Sequence, residues 1–326
     1  MKFFFVNSDM SLLADKSSTI LQRVREELLN IETVQEVSSP DLADAIVIQE
    51  KSSYKDFRYI FELLKDPLIS KYRNKIFTIN RDDCATGLLR GLYTSIPKSR
   101  FNASFHVAVP FMVFPNNSVF LEKHENIFPT YLASWRGNIR SNKIRRQIID
   151  LFQYKQDFCI ETTESWMNHK QDEKEYYIHL ILNAKFSLCP AGWAPVSFRI
   201  YESMALSRCP VILADGFMPP SGPNWNEFAL FFPQKQVTEL HSYLLRHEQL
   251  HDQLGKQAFI AWKSFFCPEV IGKYYAESLM TLIRDTPATS NENEVKRWRS
   301  FSLYWSNNWT IPQRFLHKAR KLTKFS

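Results

Sequence analysis

Short apolar runs alternate with longer stretches of helical periodicity, and this alternation constrains the fold more than any other feature of the chain. Near the N-terminus, runs with strand character occupy residues 2–7, 44–50 and 75–80. Between them, residues 18–31 keep their apolar side chains on one helical face, and a second predicted helix ends near Pro67. Strands that alternate with helices in this way indicate a parallel, doubly wound sheet.

The same alternation starts again after residue 128 and predicts a second α/β half. The candidate strands are residues 130–137, 157–161, 185–191, 209–214 and 228–233. The candidate helices are residues 141–155, 175–184, 197–207 and, as one or two helices, 238–266. We therefore predict a first domain over 1–128, a second over 129–290 and a tail over 291–326. The acidic stretch 291–294 is the predicted linker into that tail.

The composition is that of a globular protein with enough residues for two cores. The chain has 326 residues, of which 44% are hydrophobic and 14% are aromatic. No apolar run is long enough to predict a transmembrane helix, and MKFFFVNSDM predicts a first buried strand rather than a signal peptide. The five cysteines are odd in number and form no CxxC pair, so we expect free thiols in a reducing compartment and no zinc held by cysteine.

Positive charge is concentrated at the C-terminus of a chain whose net charge is +7. No acidic residue follows Glu294, whereas the basic residues there are Lys296, Arg297, Arg299, Arg314, Lys318, Arg320, Lys321 and Lys324. Aromatic residues lie between them: Trp298, Phe301, Tyr304, Trp305, Trp309 and Phe315. This pattern favours an anionic partner, which would be a membrane surface, a phosphorylated ligand or nucleic acid, and a tail folded onto the first domain is the alternative.

The segment 183–214 predicts a strand, a loop, a short helix and a second strand. Ser197 is the expected helix N-cap, and Arg199 and Glu202 follow on one helical face. A diphosphate at the helix start would meet free N–H groups and a guanidinium, and a carboxylate one turn further could accept hydrogen bonds from a ribose. Gly192 would let the loop approach that ligand closely. The order predicts a nucleoside diphosphate site, and a surface Arg199–Glu202 ion pair is the alternative.

This segment resembles the C-terminal half of the exostosin family, glycosyltransferase family 47. The resemblance is carried by NAKFSLCPAG, then SFRIYESMALSRCPVILADGFMPP, and the later Asn-Trp pair at 224–225. Weaker similarity lies upstream in WRG at 135–137 and IRRQIID at 144–150. NRDD at 80–83 falls where the family often has Gly-Arg-Asp/Asn-His, and it departs from that pattern at Asn80 and Asp83.

The resemblance implies a GT-B architecture of the α/β class, with two Rossmann-like domains facing across a cleft. It implies an inverting transfer of a sugar without an obligatory metal or other cofactor. The donor would be a nucleoside diphosphate sugar, with UDP as the expected nucleotide, and the acceptor a glycan or lipid-linked glycan. The second domain would bind the donor and the first would lie on the acceptor side. Arg136, Arg145 and Arg199 are then candidates to stabilise the leaving diphosphate, and Trp225 to stack on the base or sugar.

An inverting transfer also needs a base for the proton of the acceptor hydroxyl. Asp82 and Asp83 follow the strand 75–80 at its carboxyl end, where α/β sites form, and we take them as the catalytic candidates. His106 and Glu125 are further candidates. The lack of a predicted signal anchor departs from the Golgi members of the family, and it predicts a bacterial-type enzyme that is cytoplasmic or peripheral to the inner membrane.

Two other function classes compete with this interpretation. The segment 247–251 reads HEQLH, which on a continuous helix would present His247 and His251 to a zinc ion with Glu248 as base, as in a metallohydrolase. Charged neighbours and the lack of a defined third ligand favour an amphipathic surface helix instead. The basic, aromatic tail is the feature that would suit a nucleic-acid-binding protein.

Overall fold

The chain forms two compact units in the computed structural model. The structure describes residues 1–17, 19–52, 55–120, 127–164 and 170–308. The first unit contains residues 1–108 and the described residues from Tyr275 onward, and the second contains Val109–Tyr274. Among the described residues, no helix combines the length and the apolar character that crossing a bilayer requires.

The first unit is built on one parallel sheet. Its elements before residue 108 are β1 (Lys2–Phe5), α1 (Thr19–Leu29), β2 (Gln35–Glu36), β3 (Ala45–Gln49), α2 (Tyr59–Lys65), α3 (Pro67–Tyr72), β4 (Ile76–Asn80), β5 (Arg90–Tyr93) and β6 (His106–Ala108). The described strands are ordered β2-β1-β3-β4-β5-β6, and each neighbouring pair is parallel. The three predicted strands of this half are therefore confirmed as β1, β3 and β4.

Two strands and a helix boundary of this unit differ from the prediction. β5 and β6 are not evident from the sequence pattern, because β5 is short and begins with a charged residue. β5 can pair with β4 because Gly91, at φ +148°, has no side chain; an added Cβ would lie 2.0 Å from the backbone oxygen of Thr78. The helix ends near Pro67 as predicted, but a new helix begins there, with the Asp66 side chain accepting from the N–H of Ile69.

The chain returns to the first unit at Tyr275. The later elements are α9 (Ile271–Asp285), α10 (Asn291–Trp298) and α11 (Phe301–Asn308). Trp298 is fully buried in the apolar core of the first unit. Glu294 forms a buried ion pair with Arg90 of β5 and a 2.8 Å pair with Arg297.

These contacts correct the predicted role of residues 291–294. The stretch is not a linker, because it forms the first turn of α10 and contributes a buried carboxylate to the first unit. The tail as far as Asn308 is packed on that unit, which was one of the two alternatives for it. Residues 309–326, with Trp309, Phe315 and five of the basic residues, lie outside the described part.

The second unit contains another parallel sheet. Its elements are β7 (Tyr131–Gly137), α4 (Lys143–Phe152), β8 (Phe158–Thr162), α5 (Gln171–Leu182), β9 (Ala184–Pro190), α6 (Phe198–Ala205), β10 (Cys209–Leu213), β11 (Leu230–Phe231), α7 (Leu240–His247) and α8 (His251–Phe265). The described strands are ordered β11-β10-β9-β7-β8, all parallel. The five predicted strands are all present, although the last one spans two residues only.

The predicted fold class is thus confirmed as α/β with two parallel, Rossmann-like sheets. The boundary between the two compact units lies between residues 108 and 109, whereas the sequence pattern placed it at 128. The sheet of the second unit buries its apolar residues on both faces, with Ile144 and Ile148 of α4 against one face and Ile200 and Met204 of α6 against the other.

Candidate functional site

The strand order of the second unit produces a topological switch point between β7 and β9. The chain leaves β7 towards β8 on one side, whereas it leaves β9 towards β10 on the other. The loops 138–142 and 191–196 follow the carboxyl ends of these strands, at the position where a reversal of strand order generally opens a crevice. Open α/β sheets bind ligands at this position. The segment singled out from the sequence lies here.

The helix α6 begins at this crevice as predicted. Ser197 is its N-cap, with extended backbone angles, and its hydroxyl accepts a 3.3 Å hydrogen bond from the N–H of Arg199. The remaining N–H groups of the first turn and the positive end of the helix dipole thus lie at the carboxyl edge of the sheet.

Arg199 is buried and held in a fixed position. Its guanidinium carbon lies 5.8 Å from the ring centre of Trp135 and 5.1 Å from that of Tyr177. Its Nε donates to the Tyr177 hydroxyl at 3.1 Å, and its Nη2 donates to the backbone oxygen of Arg136. These contacts fix the guanidinium between the start of α6 and the end of β7.

Glu202 is also buried, and it is linked to Arg199 through Tyr177. The Tyr177 hydroxyl donates to Glu202 Oε2 at 2.5 Å while it accepts from Arg199. Burial raises the pKa of Glu202, against the opposing effects of the Tyr177 hydrogen bond and the charge of Arg199. The alternative of a solvated surface pair is therefore wrong, since both side chains are buried.

Tyr177 is a member of this site that the sequence patterns did not single out, and Trp135 belongs to the WRG motif but had no predicted role. Tyr177 lies on the predicted helix α5, and burial raises the pKa of its hydroxyl well above the usual value, so it stays protonated and can donate. Trp135 is fully buried at the end of β7. We call Trp135, Tyr177, Arg199 and Glu202 the switch-point cluster.

Arg145 connects the two loops of the crevice. It donates at 3.0 Å to the backbone oxygens of Asn138 and Ala191, which belong to different loops. Gly192 leaves room for this guanidinium, because an added Cβ would lie 2.9 Å from Arg145 Nη2. A side chain at this position would therefore displace the end of the Arg145 side chain from its present place.

Arg136 does not extend its side chain towards the start of α6. Its guanidinium pairs with Glu161 at 3.3 Å and Glu173 at 3.4 Å, and it lies 5.1 Å from the ring of Tyr176. Two carboxylates neutralise this charge, so the structure favours Arg199 and Arg145 over Arg136 for the diphosphate role. Arg136 contacts the switch-point cluster through its backbone oxygen.

Trp225 lies in the aromatic core of the second unit rather than in the crevice. Its ring packs against Phe217 and Phe228, and its indole N–H donates to the backbone oxygen of Pro220 at 2.8 Å. The predicted stacking role is therefore corrected to core packing. Trp193, in the loop between β9 and α6, is instead 47% exposed.

Asp82 and Asp83, in the first unit, differ in their surroundings. Asp82 is buried and ion-paired with Lys55, whose Nζ also lies 3.3 Å from Glu50. Glu50 is buried and accepts from Tyr59, Thr78 and Asn80. Asp83 is exposed.

The other two base candidates are less favourable. His106 is buried between Asn102 and Gly87, and burial lowers its pKa to about 3, so it is neutral and hydrogen-bonded at both ring nitrogens. Glu125 lies outside the described residues.

The zinc hypothesis for HEQLH is wrong. α7 ends at His247, residues 248–250 form a 3₁₀ turn, and α8 begins at His251, so the two histidines do not share one continuous helix. Glu248 is ion-paired with Lys185 at 2.5 Å, and the His247 ring bonds to the backbone oxygen of Tyr243. In the described parts of the chain, no group of three or more His, Cys, Asp or Glu residues is arranged to hold a metal.

The fold and the site together define an α/β protein with two parallel sheets and a polar cluster at the switch point of the second. The chain belongs to the exostosin GT47 family, because the model of that domain matches residues 68–246, more than half of the chain. The match includes the whole of the switch-point cluster and confirms the resemblance found in the sequence.

Curated plant proteins share part of this region. The chain is 37% identical over 92 residues to the probable glucuronoxylan glucuronosyltransferase IRX7 of Arabidopsis thaliana, which covers 25% of this chain and 20% of that protein. It is 37% identical over 75 residues to the probable beta-1,4-xylosyltransferase IRX10 of the same plant, with 22% and 18% covered. It is 28% identical over 152 residues to the probable glucuronosyltransferase Os03g0107900 of rice, with 43% and 34% covered. The matches thus span about a third or less of these relatives.

Two solved structures that are similar to this chain match it only distantly. A glycosyltransferase from Rickettsia africae ESF-5 is 10% identical with a TM-score of 0.38, covering 87% of this chain and 99% of that one. TarM is 9% identical with a TM-score of 0.37, covering 80% and 58%.

Proposed function

We propose that this protein is an inverting glycosyltransferase that moves a sugar from a nucleoside diphosphate sugar, with UDP as the nucleotide, to a glycan or lipid-linked glycan. Its family membership supports the reaction class. The single structural observation that carries the proposal is the switch-point cluster at the start of α6. The names of the plant relatives make UDP-glucuronic acid and UDP-xylose the first donors to test.

The diphosphate binds at the start of α6 in this proposal. The first-turn N–H groups and the helix dipole favour an anion there, and the guanidinium groups of Arg199 and Arg145 both lie near the Trp135 ring, 5.8 and 5.9 Å from its centre. As the bond from the anomeric carbon to the diphosphate breaks, this fixed positive charge stabilises the leaving group. The same charge allows transfer without a divalent cation.

The ribose binds one turn further along α6. Glu202 Oε2 accepts from Tyr177, and Oε1 is outside that hydrogen bond, so it is the oxygen assigned to a ribose hydroxyl. A buried carboxylate forms strong hydrogen bonds because solvent does not compete for it. Trp193, exposed in the preceding loop, is assigned the stacking role towards the base or sugar in place of Trp225.

The acceptor hydroxyl must lose its proton as its oxygen bonds to the anomeric carbon. We assign this proton to Asp83, because Asp83 is exposed and follows the carboxyl end of β4, whereas Asp82 is buried and ion-paired with Lys55. Asp83→Asn should then abolish transfer while leaving UDP binding intact. Asp82→Asn should instead lower the melting temperature, which separates a catalytic role from a structural one.

Calorimetric titration of UDP into the full chain, with a metal chelator present, tests the donor site. Wild-type protein should bind. Arg199→Ala should weaken binding by about tenfold or more, because a charge-assisted hydrogen bond contributes about 1.5–3 kcal/mol. Arg146→Ala is the matched control, because Arg146 is exposed on α4 beside Arg145.

Arg199→Lys guards against a folding defect, since it keeps the charge but not the planar fork. It should melt close to wild type and still bind UDP more weakly. No UDP binding by the wild type, or equal affinity in a folded Arg199 variant, would contradict the proposed site.

A further inference from the structure

Three aromatic side chains of α11 form an exposed surface on the first unit. Phe301 is 75% exposed and Trp305 is 69% exposed, and their rings stack with centres 6.0 Å apart. Tyr304, on the same short helix, is also exposed. We call Phe301, Tyr304 and Trp305 the aromatic surface. Large exposed aromatic groups of this kind mark an interaction site more often than isolated apolar residues do.

The aromatic surface is held rigidly on the unit. Leu303 packs against the core, and the Tyr304 ring makes an edge contact with Phe57, with centres 5.0 Å apart. Asn307 donates to the backbone oxygen of Thr86 at 3.1 Å. The exposed rings therefore do not result from a loosely attached helix.

Exposed basic residues lie on the chain segments next to the aromatic surface. Lys296 and Arg299 are exposed on or just after α10, which directly precedes α11, and Arg58, which is exposed and ion-paired with Asp56, adjoins Phe57. The chain beyond Asn308 adds five Lys or Arg residues and no acidic residue in 18 positions. Rings that prefer the headgroup region, with cations on neighbouring segments, match the interface of an anionic bilayer.

We propose that the aromatic surface docks the first unit onto an anionic phospholipid bilayer, with Lys296 and Arg299 at the lipid phosphates. A second copy of this chain is a poorer partner, because a two-fold contact through the same surface would bring the cations of both copies together. This inference does not depend on the proposed glycosyl transfer.

The test is vesicle co-sedimentation of the full chain. Vesicles of phosphatidylcholine with phosphatidylglycerol should bind the wild type, and vesicles of phosphatidylcholine alone should bind it weakly. Phe301→Ala with Trp305→Ala should reduce binding by about tenfold or more, because interfacial binding scales with buried apolar area. Both side chains are exposed, so the melting temperature should stay close to that of the wild type.

Two further variants separate the contribution of the aromatic surface from that of other exposed apolar residues and of the terminal charges. Phe259→Ala with Ile260→Ala removes exposed apolar residues of the second unit and should leave vesicle binding unchanged. Truncation after Asn308 should weaken binding and reduce its salt dependence, since five basic residues are lost.

Three results would overturn the proposal. The first is equal vesicle binding by wild type and the α11 double variant. The second is stronger binding after truncation, which would show that the terminal segment covers the aromatic surface. The third is loss of a wild-type dimer in light scattering with no change in vesicle binding, which would assign the surface to self-association.

Discussion

Each unit contains a buried glutamate at the carboxyl edge of its sheet, and the surroundings shift the pKa values of the two glutamates in opposite directions. Glu50, after β3, accepts from four side chains: Tyr59 and Lys55 at Oε1, and Thr78 and Asn80 at Oε2. Burial alone would raise the pKa of Glu50, but Lys55 and these hydrogen bonds lower it. For Glu202, burial prevails and the pKa is raised.

The difference separates a structural carboxylate from one suited to bind a ligand. A carboxylate whose oxygens are fully used by its own fold contributes stability and has no acceptor left to offer. A buried carboxylate with one hydrogen-bonded oxygen carries a desolvation cost that a ligand hydroxyl can reduce. Four predictions test this distinction.

The largest expected effect is on stability, from Glu50→Gln. The amide nitrogen must face either Lys55 or Asn80, both of which are donors, so one of them loses its bond to residue 50, and Lys55 also loses one of its two buried counter-charges. We expect a loss of about 3 kcal/mol or more in the free energy of unfolding, measured with urea. Glu202→Gln in the same assay should cost about 1 kcal/mol or less, because an amide oxygen can still accept from Tyr177. Equal losses in the two variants would remove the distinction.

Glu202→Gln should instead affect nucleotide binding. A neutral amide is a weaker acceptor for the ribose hydroxyl than a carboxylate, so UDP affinity should fall by about 1–3 kcal/mol in calorimetry. Glu175→Gln, at an exposed position on α5, is the control and should bind as the wild type does. A Glu202 variant that folds and binds UDP normally would leave the carboxylate without the proposed role.

The two glutamates should also respond differently to pH. Glu50 has a lowered pKa, so its contribution to stability is present above the unfolded value and is lost only as the pH falls through the folded value, below 4.5. Glu202 has a raised pKa, so ionising it costs stability as the pH rises, and its carboxylate is lost at a pH above 4.5. UDP affinity should therefore decline before the fold does on acidification.

Glu202→Gln serves as the baseline for this experiment, because its residual pH dependence reports the titration of the UDP phosphate alone. Tyr177 bonds directly to Glu202 and also bonds to Arg199, and burial raises the pKa of the Tyr177 hydroxyl well above its usual value, so Tyr177 stays neutral on acidification. Identical pH profiles of binding for the wild type and the variant would contradict the assignment.

The smallest expected effect is that of Tyr177→Phe. It removes the hydroxyl that joins Arg199 to Glu202, and we expect UDP affinity to fall a few-fold, or about 1 kcal/mol. Tyr176→Phe is the neighbouring control, because its hydroxyl bonds to Glu161 outside the cluster. An effect of Tyr176→Phe as large as that of Tyr177→Phe would point to α5 as a whole rather than to the hydroxyl.

The sequence predicted the features that depend on local chemistry. Period and composition located the central strands and helices, and Ser197 was identified as an N-cap because its hydrogen bond involves only the next turn. It could not predict Tyr177, which meets Glu202 because β9 lies beside β7 rather than beside β8. Strand order is a long-range property that one sequence does not specify.

Other differences arise because the same residue type serves in two kinds of environment. An aromatic ring beside a binding motif suits stacking and core packing equally, and Trp225 is in the core. Arg90 has the appearance of a surface residue, and it belongs to a buried strand only because Glu294, far away in the sequence, pairs with it. HEQLH has a helical spacing that the break at residues 248–250 removes.

The return of α10 to the first unit has a consequence for biosynthesis. The second unit is continuous in sequence, whereas the first needs Glu294 and Trp298 to complete its core. During translation we therefore expect the second unit to reach its native state on the ribosome while the first still lacks part of its interior. The half of the protein that is made first would be the last to mature.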